Sequence, residues 1–148
     1  MAHFDKDVVG GDKWLMQLGT LSGNPVASAA GLKTMEILRR DGQYDRLVAV
    51  GKRLQDMQSD ALNAAGIAHR VCGDPTLFDL FFTDVDCRDY RSAKHTDPRV
   101  NAVYNATLRA QGVFKAPGKL YPSLALTEAD LELTEHAVHQ AVRALTRA

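Results

Sequence analysis

Apolar positions recur at helical spacing in four stretches of the chain, and one stretch between them is dense in aromatics. From about Pro25 to Arg40, apolar residues such as Val26, Leu32, Met35 and Leu38 cover most of a helix circumference. A helix apolar over so wide an arc is expected to be buried rather than laid on a surface. Asn24 suits its N-cap, and Pro25 suits the first helical position, where the missing N–H would be an orphan in any case. Gly42 ends this run. A second helix is predicted over about 44–65, with Tyr44, Leu47, Gly51, Leu54, Ala61 and Leu62 on its inner stripe and Gly66 as its stop. A third is predicted over 98–111, opened by Pro98 and stopped by Gly112. A fourth is predicted over 127–146, capped by Thr127 with Glu128 and Asp130 near its positive end.

Between the second and third helices the period changes. "IAHRV" reads as a short strand and "CGDP" as a turn. "TLFDLFFT" is the strongest strand signal in the chain. "DVDCRDYRSAKHTD" reads as a polar connection, and "VFKAPGKLYPSLAL" as one or two short strands around a turn at Pro117-Gly118. The order helix, helix, strand, strand, helix, strand, helix predicts an α+β fold. It is expected to be a small antiparallel sheet of three or more strands, containing 77–82 and 121–125, with helices packed on one face. Residues 1–24 read as an irregular segment with an apolar cluster at Trp14, Leu15 and Met16, and 25–148 as one small domain.

Composition narrows the function more than the fold. The chain has 148 residues, enough for one domain that buries roughly two-thirds of its unfolded surface. Lys plus Arg and Asp plus Glu number 18 each, so no net field points to nucleic acid or an anionic membrane. No apolar run approaches the roughly 18 residues a membrane span needs. "MAHFDKDVVGG" lacks the basic-then-apolar order of a secretory signal. Cys72 and Cys87 are too few for a disulfide scaffold, so reduced thiols in the cytoplasm are expected.

No motif of a serine hydrolase, a Walker phosphate loop or a dinucleotide fold is present. His136 and His139, beside Glu132 and Glu135, read as a solvated helix face rather than a metal site. Asp84, Asp86 and Asp89 lack the glycine and terminal Glu of a calcium loop. His3, His69 and His95 have no partner visible in the sequence. "GTLSGNP" at 19–25 remains. It reads either as a well-capped turn or as an anion site, because free N–H groups at a helix start, with hydroxyls at Thr20 and Ser22, favour negative charge.

The stretch "GTLSGNPVASAAGLKTMEILRRDGQYDRL" resembles the opening of the C-terminal domain of class-III aminotransferases, pyridoxal-phosphate enzymes of fold type I. Within that family it is most similar to the glutamate-1-semialdehyde aminomutase branch. "DLFFTDVDCRDYRSAKHTD" and "LRAQGVFKAPGKLYPSLALTEADLELTEHAVHQAVRAL" continue the likeness in order, so that it covers about residues 8–146. The resemblance implies that Gly19 and Thr20 contact pyridoxal 5′-phosphate. The Thr20 hydroxyl and N–H would be donors to the cofactor phosphate of a neighbouring subunit, which makes a homodimer or higher oligomer the expected assembly.

The departures carry equal weight. The family's cofactor-linked lysine sits in a glycine-rich segment ahead of this motif, within a large cofactor-binding domain. None of Lys6, Lys13, Lys33, Lys52, Lys94, Lys115 or Lys119 has that context. Nor does the chain hold the Asp that would pair with the cofactor's ring nitrogen. No residue of the chain is therefore assigned a catalytic role, and the isolated chain is expected to be inactive and unable to hold the cofactor. "APGKLYPSLALT" is shorter than the matching aminomutase segment and lacks its Glu, which favours a transaminase over glutamate-1-semialdehyde 2,1-aminomutase. A stand-alone, non-enzymatic α+β domain for self-association or partner binding is the competing reading.

Overall fold

The computed structural model describes residues 2–15 and 19–147. They divide into two compact units, Met1–Arg40 and Asp41–Ala148.

The first unit holds 3-10 turns at Ala2–Phe4 and Gly11–Lys13, a short helix α1 (Lys6–Val9) and a longer helix α2 (Pro25–Leu38). The Trp14 indole N–H donates to the Phe4 carbonyl at 3.1 Å, and the Lys6 ammonium lies 5.8 Å from the ring centroid. Met16 of the expected apolar cluster lies outside the described residues. The expectation that α2 is buried is not met. None of its residues is buried, and Val26 and Leu32 are 78% and 74% exposed. Its apolar residues are spread around the helix rather than gathered in one stripe, and a unit of this size has little surface with which to cover them.

The second unit runs α3 (Gln43–Ala64), β1 (Arg70–Asp74), β2 (Leu77–Phe81), α4 (Tyr90–Ala93), α5 (Pro98–Ala110) and α6 (Glu128–Arg147). The class is α+β, as expected. β1 and β2 pair antiparallel, with Arg70 opposite Phe81 and Asp74 opposite Leu77. The Asp74 carboxylate accepts from the Thr76 N–H at 2.9 Å and from its hydroxyl at 2.7 Å, which holds the tight turn.

The sheet has two strands among the described residues, not three. The expected strand at 121–125 is absent, and the contact shrinks to a single bridge between Phe78 and Leu120. Pro122 has no N–H to donate, so pairing cannot run on past Leu120. The first strand also lies later than expected. Cys72, Gly73 and Asp74, read as part of a turn, are paired in it. The polar connection contains α4, whose start is held by reciprocal bonds between Asp89 and Ser92.

The helices cover one face of the hairpin. Phe78, Leu80 and Phe82 point into the core, while Leu77, Asp79 and Phe81 are partly or largely exposed, the period-two pattern of a half-buried strand. Leu80 and Phe82 join Leu62 of α3, Tyr104 and Leu108 of α5, and Ala137, Val138 and Ala141 of α6 in one cluster. The Phe82 and Tyr104 rings meet edge-on, with centroids 5.2 Å apart. The Tyr104 hydroxyl is satisfied inside this core. It donates to Gln58 Oε1 at 3.2 Å, and Gln58 Nε2 donates to the Leu54 carbonyl at 2.7 Å. Such pairing removes most of the cost of burying polar atoms.

Candidate functional site

The turn at 19–24 is built by its own backbone. The Ser22 N–H donates to the Gly19 carbonyl at 3.0 Å, and the Asn24 N–H to the Leu21 carbonyl at 3.1 Å. Gly19 has φ +148°, a region closed to most side chains, and a Cβ there would stand 2.6 Å from Ser22 Oγ. Glycine at 19 thus lets the chain bend back on Ser22. Thr20 sits on the outside of this turn, exposed, with no hydrogen bond to its hydroxyl among the described residues.

The start of α2 is closed to ligands. Asn24 Oδ1 accepts from the Val26 N–H at 2.9 Å and the Ala27 N–H at 3.1 Å, and its carbonyl takes the Ser28 N–H at 2.9 Å. Pro25 has no N–H. The first-turn donors that would draw an anion to a helix start are therefore consumed within the chain. The sequence suggested those donors. Within the turn ahead of the helix, the Ser22 and Asn24 N–H groups are also taken by its own carbonyls, and the Thr20 hydroxyl is the exposed donor that stands outside these bonds. A hydroxyl and N–H groups are the donor set that a phosphate accepts from, so the turn fits such a group.

Other sequence candidates belong to the second unit. His69 is buried and satisfied, with Nδ1 2.9 Å from the Ile67 carbonyl and Nε2 3.0 Å from Ser59 Oγ. Glu132, Glu135, His136 and His139 are exposed on α6, as are Asp84, Asp86 and Asp89 in the loop after β2. No group of three or more metal-ligating side chains forms among the described residues. Cys72 and Cys87 are free thiols, both half-buried. Burial first, then the nearby Cys87 thiol, pushes the Cys72 thiol up.

One feature of the second unit is invisible in the sequence. Lys115 is half-buried in the 113–122 segment, and its ammonium donates to the Ala116 carbonyl at 2.8 Å and the Gly118 carbonyl at 3.2 Å. Loss of water pushes its pKa down, and the Asp79 carboxylate partly offsets this. Asp79 is pushed up by its own burial, although it accepts from the Leu80 N–H at 2.8 Å. Asn105 Nδ2 holds the segment from α5 through the Pro117 carbonyl at 3.4 Å. No sequence spacing brings Asp79, Asn105 and Lys115 together. The bridge of Phe78 to Leu120 lays the segment beside Asp79, and Asn105 reaches it from α5.

No membrane-length apolar helix occurs among the described residues. No family model matches the chain. Curated relatives do. A glutamate-1-semialdehyde 2,1-aminomutase of Propionibacterium freudenreichii is 39% identical over 132 residues, which is 86% of this chain and 30% of that protein. The aminomutase 2 of Brevibacillus brevis is 36% identical, over 87% of this chain and 31% of its own length. The chain thus spans about a third of the relatives it matches.

Solved structures agree on the fold. An omega-transaminase from Sphaerobacter thermophilus superposes with a TM-score of 0.77 at 26% identity, covering 99% of this chain and 33% of its own. A β-phenylalanine aminotransferase from Variovorax paradoxus gives 0.72 at 23% identity, over 87% of this chain and 30% of its own. Sequence and fold together match this chain to the C-terminal portion of class-III pyridoxal-phosphate-dependent aminotransferases, a family whose cofactor is pyridoxal 5′-phosphate.

Proposed function

We propose that this chain supplies the small domain of an enzyme that moves an amino group between an amine or amino acid and an oxo acid. The observation that carries the reading is the outward-facing Thr20 hydroxyl, on a turn that Gly19 and Asn24 hold in shape. Gly19 and Thr20 contact the cofactor phosphate of a neighbouring subunit in a cytoplasmic homodimer or higher oligomer. Residues up to 24 form the cofactor-contact segment, and a large cofactor-binding domain completes the enzyme. The cofactor, when bound, supplies an electron-withdrawing ring that stabilises charge on the substrate carbon. Thr20 gives the phosphate one or two hydrogen bonds and so fixes its position. It moves no proton of the reaction.

Two observations pull on the finer identity. The curated relatives are named aminomutases. The solved structures are named transaminases, and the segment "APGKLYPSLALT" is short and lacks a Glu, so we favour a transaminase. The stand-alone, non-enzymatic reading draws support from the second unit, which has its own core.

The isolated chain is catalytically incomplete on this reading. A charge-assisted hydrogen bond contributes about 1.5–3 kcal/mol. Immobilising a ligand costs about 4 kcal/mol or more. One or two such bonds do not retain the cofactor. Titrating the chain with pyridoxal phosphate should give a colourless protein with no tight, stoichiometric adduct. Thr20→Ala in the assembled enzyme should weaken cofactor affinity about tenfold or more. A tight adduct on the 148-residue chain, or unchanged affinity in the variant, overturns the assignment.

A further inference from the structure

We propose that Cys72 and Cys87 form a reversible disulfide, made by a peroxide, that ties the loop after β2 to β1. Strand alternation fixes the side on which Cys72 stands. Its neighbour Val71 packs against the core, so Arg70 and Cys72 share the opposite face, with Phe81 and Asp79 facing them across the hairpin. The chain then doubles back over that face. The Arg70 guanidinium donates to the Asp84 carbonyl at 2.6 Å, and the Val85 N–H donates to Thr83 Oγ1 at 3.1 Å. This carries Cys87 to Cys72, and the two thiols are hydrogen-bonded to each other. The Cys87 S–H is already directed at the Val85 carbonyl, 3.7 Å away, which leaves Cys72 as the donor of the pair.

The surroundings divide the roles. The thiolate is the form that attacks a peroxide. Cys72 is held as the thiol, by its burial first and then by Cys87, with Asp79 and Asp86 adding to the effect. Cys87 sits between Asp86 and Arg88, both exposed, where a small oxidant can reach it. The Cys87 thiolate attacks one oxygen of hydrogen peroxide, the O–O bond breaks, and hydroxide leaves and takes up a proton. The Cys72 sulfur then attacks the sulfur of the Cys87 sulfenic acid. The S–O bond breaks, and hydroxide leaves with the proton that Cys72 gives up. The two thiols lose two electrons in all, and the peroxide is reduced to two waters. Asp79 and Asp86 place negative charge beside the pair. That charge disfavours an anionic thiol such as glutathione and leaves the internal partner to resolve the sulfenic acid. This site uses neither Thr20 nor the cofactor, so it stands or falls apart from the reading above.

The test is oxidation of the chain with hydrogen peroxide, read by mass spectrometry of the tryptic peptide 71–88, which holds both cysteines of the chain. The expected product is that peptide lighter by two hydrogens, with both thiols lost to alkylation and both restored by a dithiol reductant. Cys72→Ser should leave a sulfenic acid on Cys87 that dimedone traps. Cys87→Ser should give about tenfold less trapped product on Cys72, because each pKa unit removes a factor of ten in thiolate. A disulfide between two copies, oxidation to sulfinic acid without an internal bond, or a persistent mixed disulfide when glutathione disulfide is the oxidant overturns the proposal. These three readouts need only the parent chain. Equal trapping at the two cysteines overturns the division of roles.

Discussion

Helices α2 and α6 use apolar residues in opposite ways. α2 has few charges and apolar residues on nearly every side, yet none of its residues is buried. α6 is richer in charge, yet Leu131, Ala137, Val138, Ala141 and Val142 are all buried. The spacing explains the contrast. In α6 the apolar residues recur at three and four positions and form one stripe, which α3 and α5 cover. In α2 no single face holds them, so no one neighbour could cover them all. Hydrophobic content alone did not decide burial. Arrangement did, together with the presence of a second layer.

The sharpest break in the comparison should come from truncating each region. Tyr104→Ala removes a fully buried ring and strands Gln58 Oε1. It should cost about 3–5 kcal/mol in denaturant unfolding, whereas Leu32→Ala on α2 should stay within about 0.5 kcal/mol. Similar losses at the two positions would refute the contrast. Gly51→Ala tests the second unit from the opposite direction, by adding an atom. A Cβ on Gly51 would lie 1.9 Å from the Pro75 carbonyl oxygen, so backbone must shift, at about 1–3 kcal/mol. An unchanged unfolding midpoint would mean that the hairpin turn does not sit on α3.

Asn24→Ala removes both cap bonds from the start of α2, worth about 1 kcal/mol. Because α2 buries nothing, the loss should appear as faster amide exchange at 26–28, with little change in global stability. The smallest effect on stability, and the clearest on assembly, is expected from Leu32→Glu. Exposed apolar patches drive association. Light scattering at rising concentration should show the parent chain self-associating and the variant doing so less. A monomeric parent chain at high concentration would remove this role from α2.

Much of the second unit was legible because local signals agreed with one another. Pro98 after Asp97, Gly112 after Gln111, and Thr127 with Asp130 mark helix ends by capping chemistry, which acts over three or four residues. The observed helices 98–110 and 128–147 lie within a residue of the prediction. The strand of 77–81 was legible from its aromatics and the break in helical spacing. What failed depended on distant partners. Tyr121 to Ala125 looked like a strand, but a strand needs an edge to pair with, and Pro122 withholds a donor. The exposure of α2 depended on what covers it, which no helical period encodes. At the candidate site, the sequence left a capped turn and an anion site both open, and the turn is what the structure describes at 19–24. That Asn24 consumes the helix-start donors follows from cap geometry rather than composition. Nothing in the spacing around Lys115 marked it out, since the bonds that hold its ammonium depend on how 113–122 folds back on itself.

The contact between Gly51 and Pro75 also bears on how the chain assembles in time. A glycine in the middle of a 22-residue helix weakens it by about 1 kcal/mol relative to alanine before anything docks. α3 is thus least persistent at the point where the hairpin turn later rests. Until 70–81 arrives, the two halves of α3 can bend independently about residue 51. Once the turn is seated, the Pro75 carbonyl occupies the space beside Gly51. Helix and hairpin should therefore gain protection from exchange together, as one folding unit, although some twenty residues separate them in sequence.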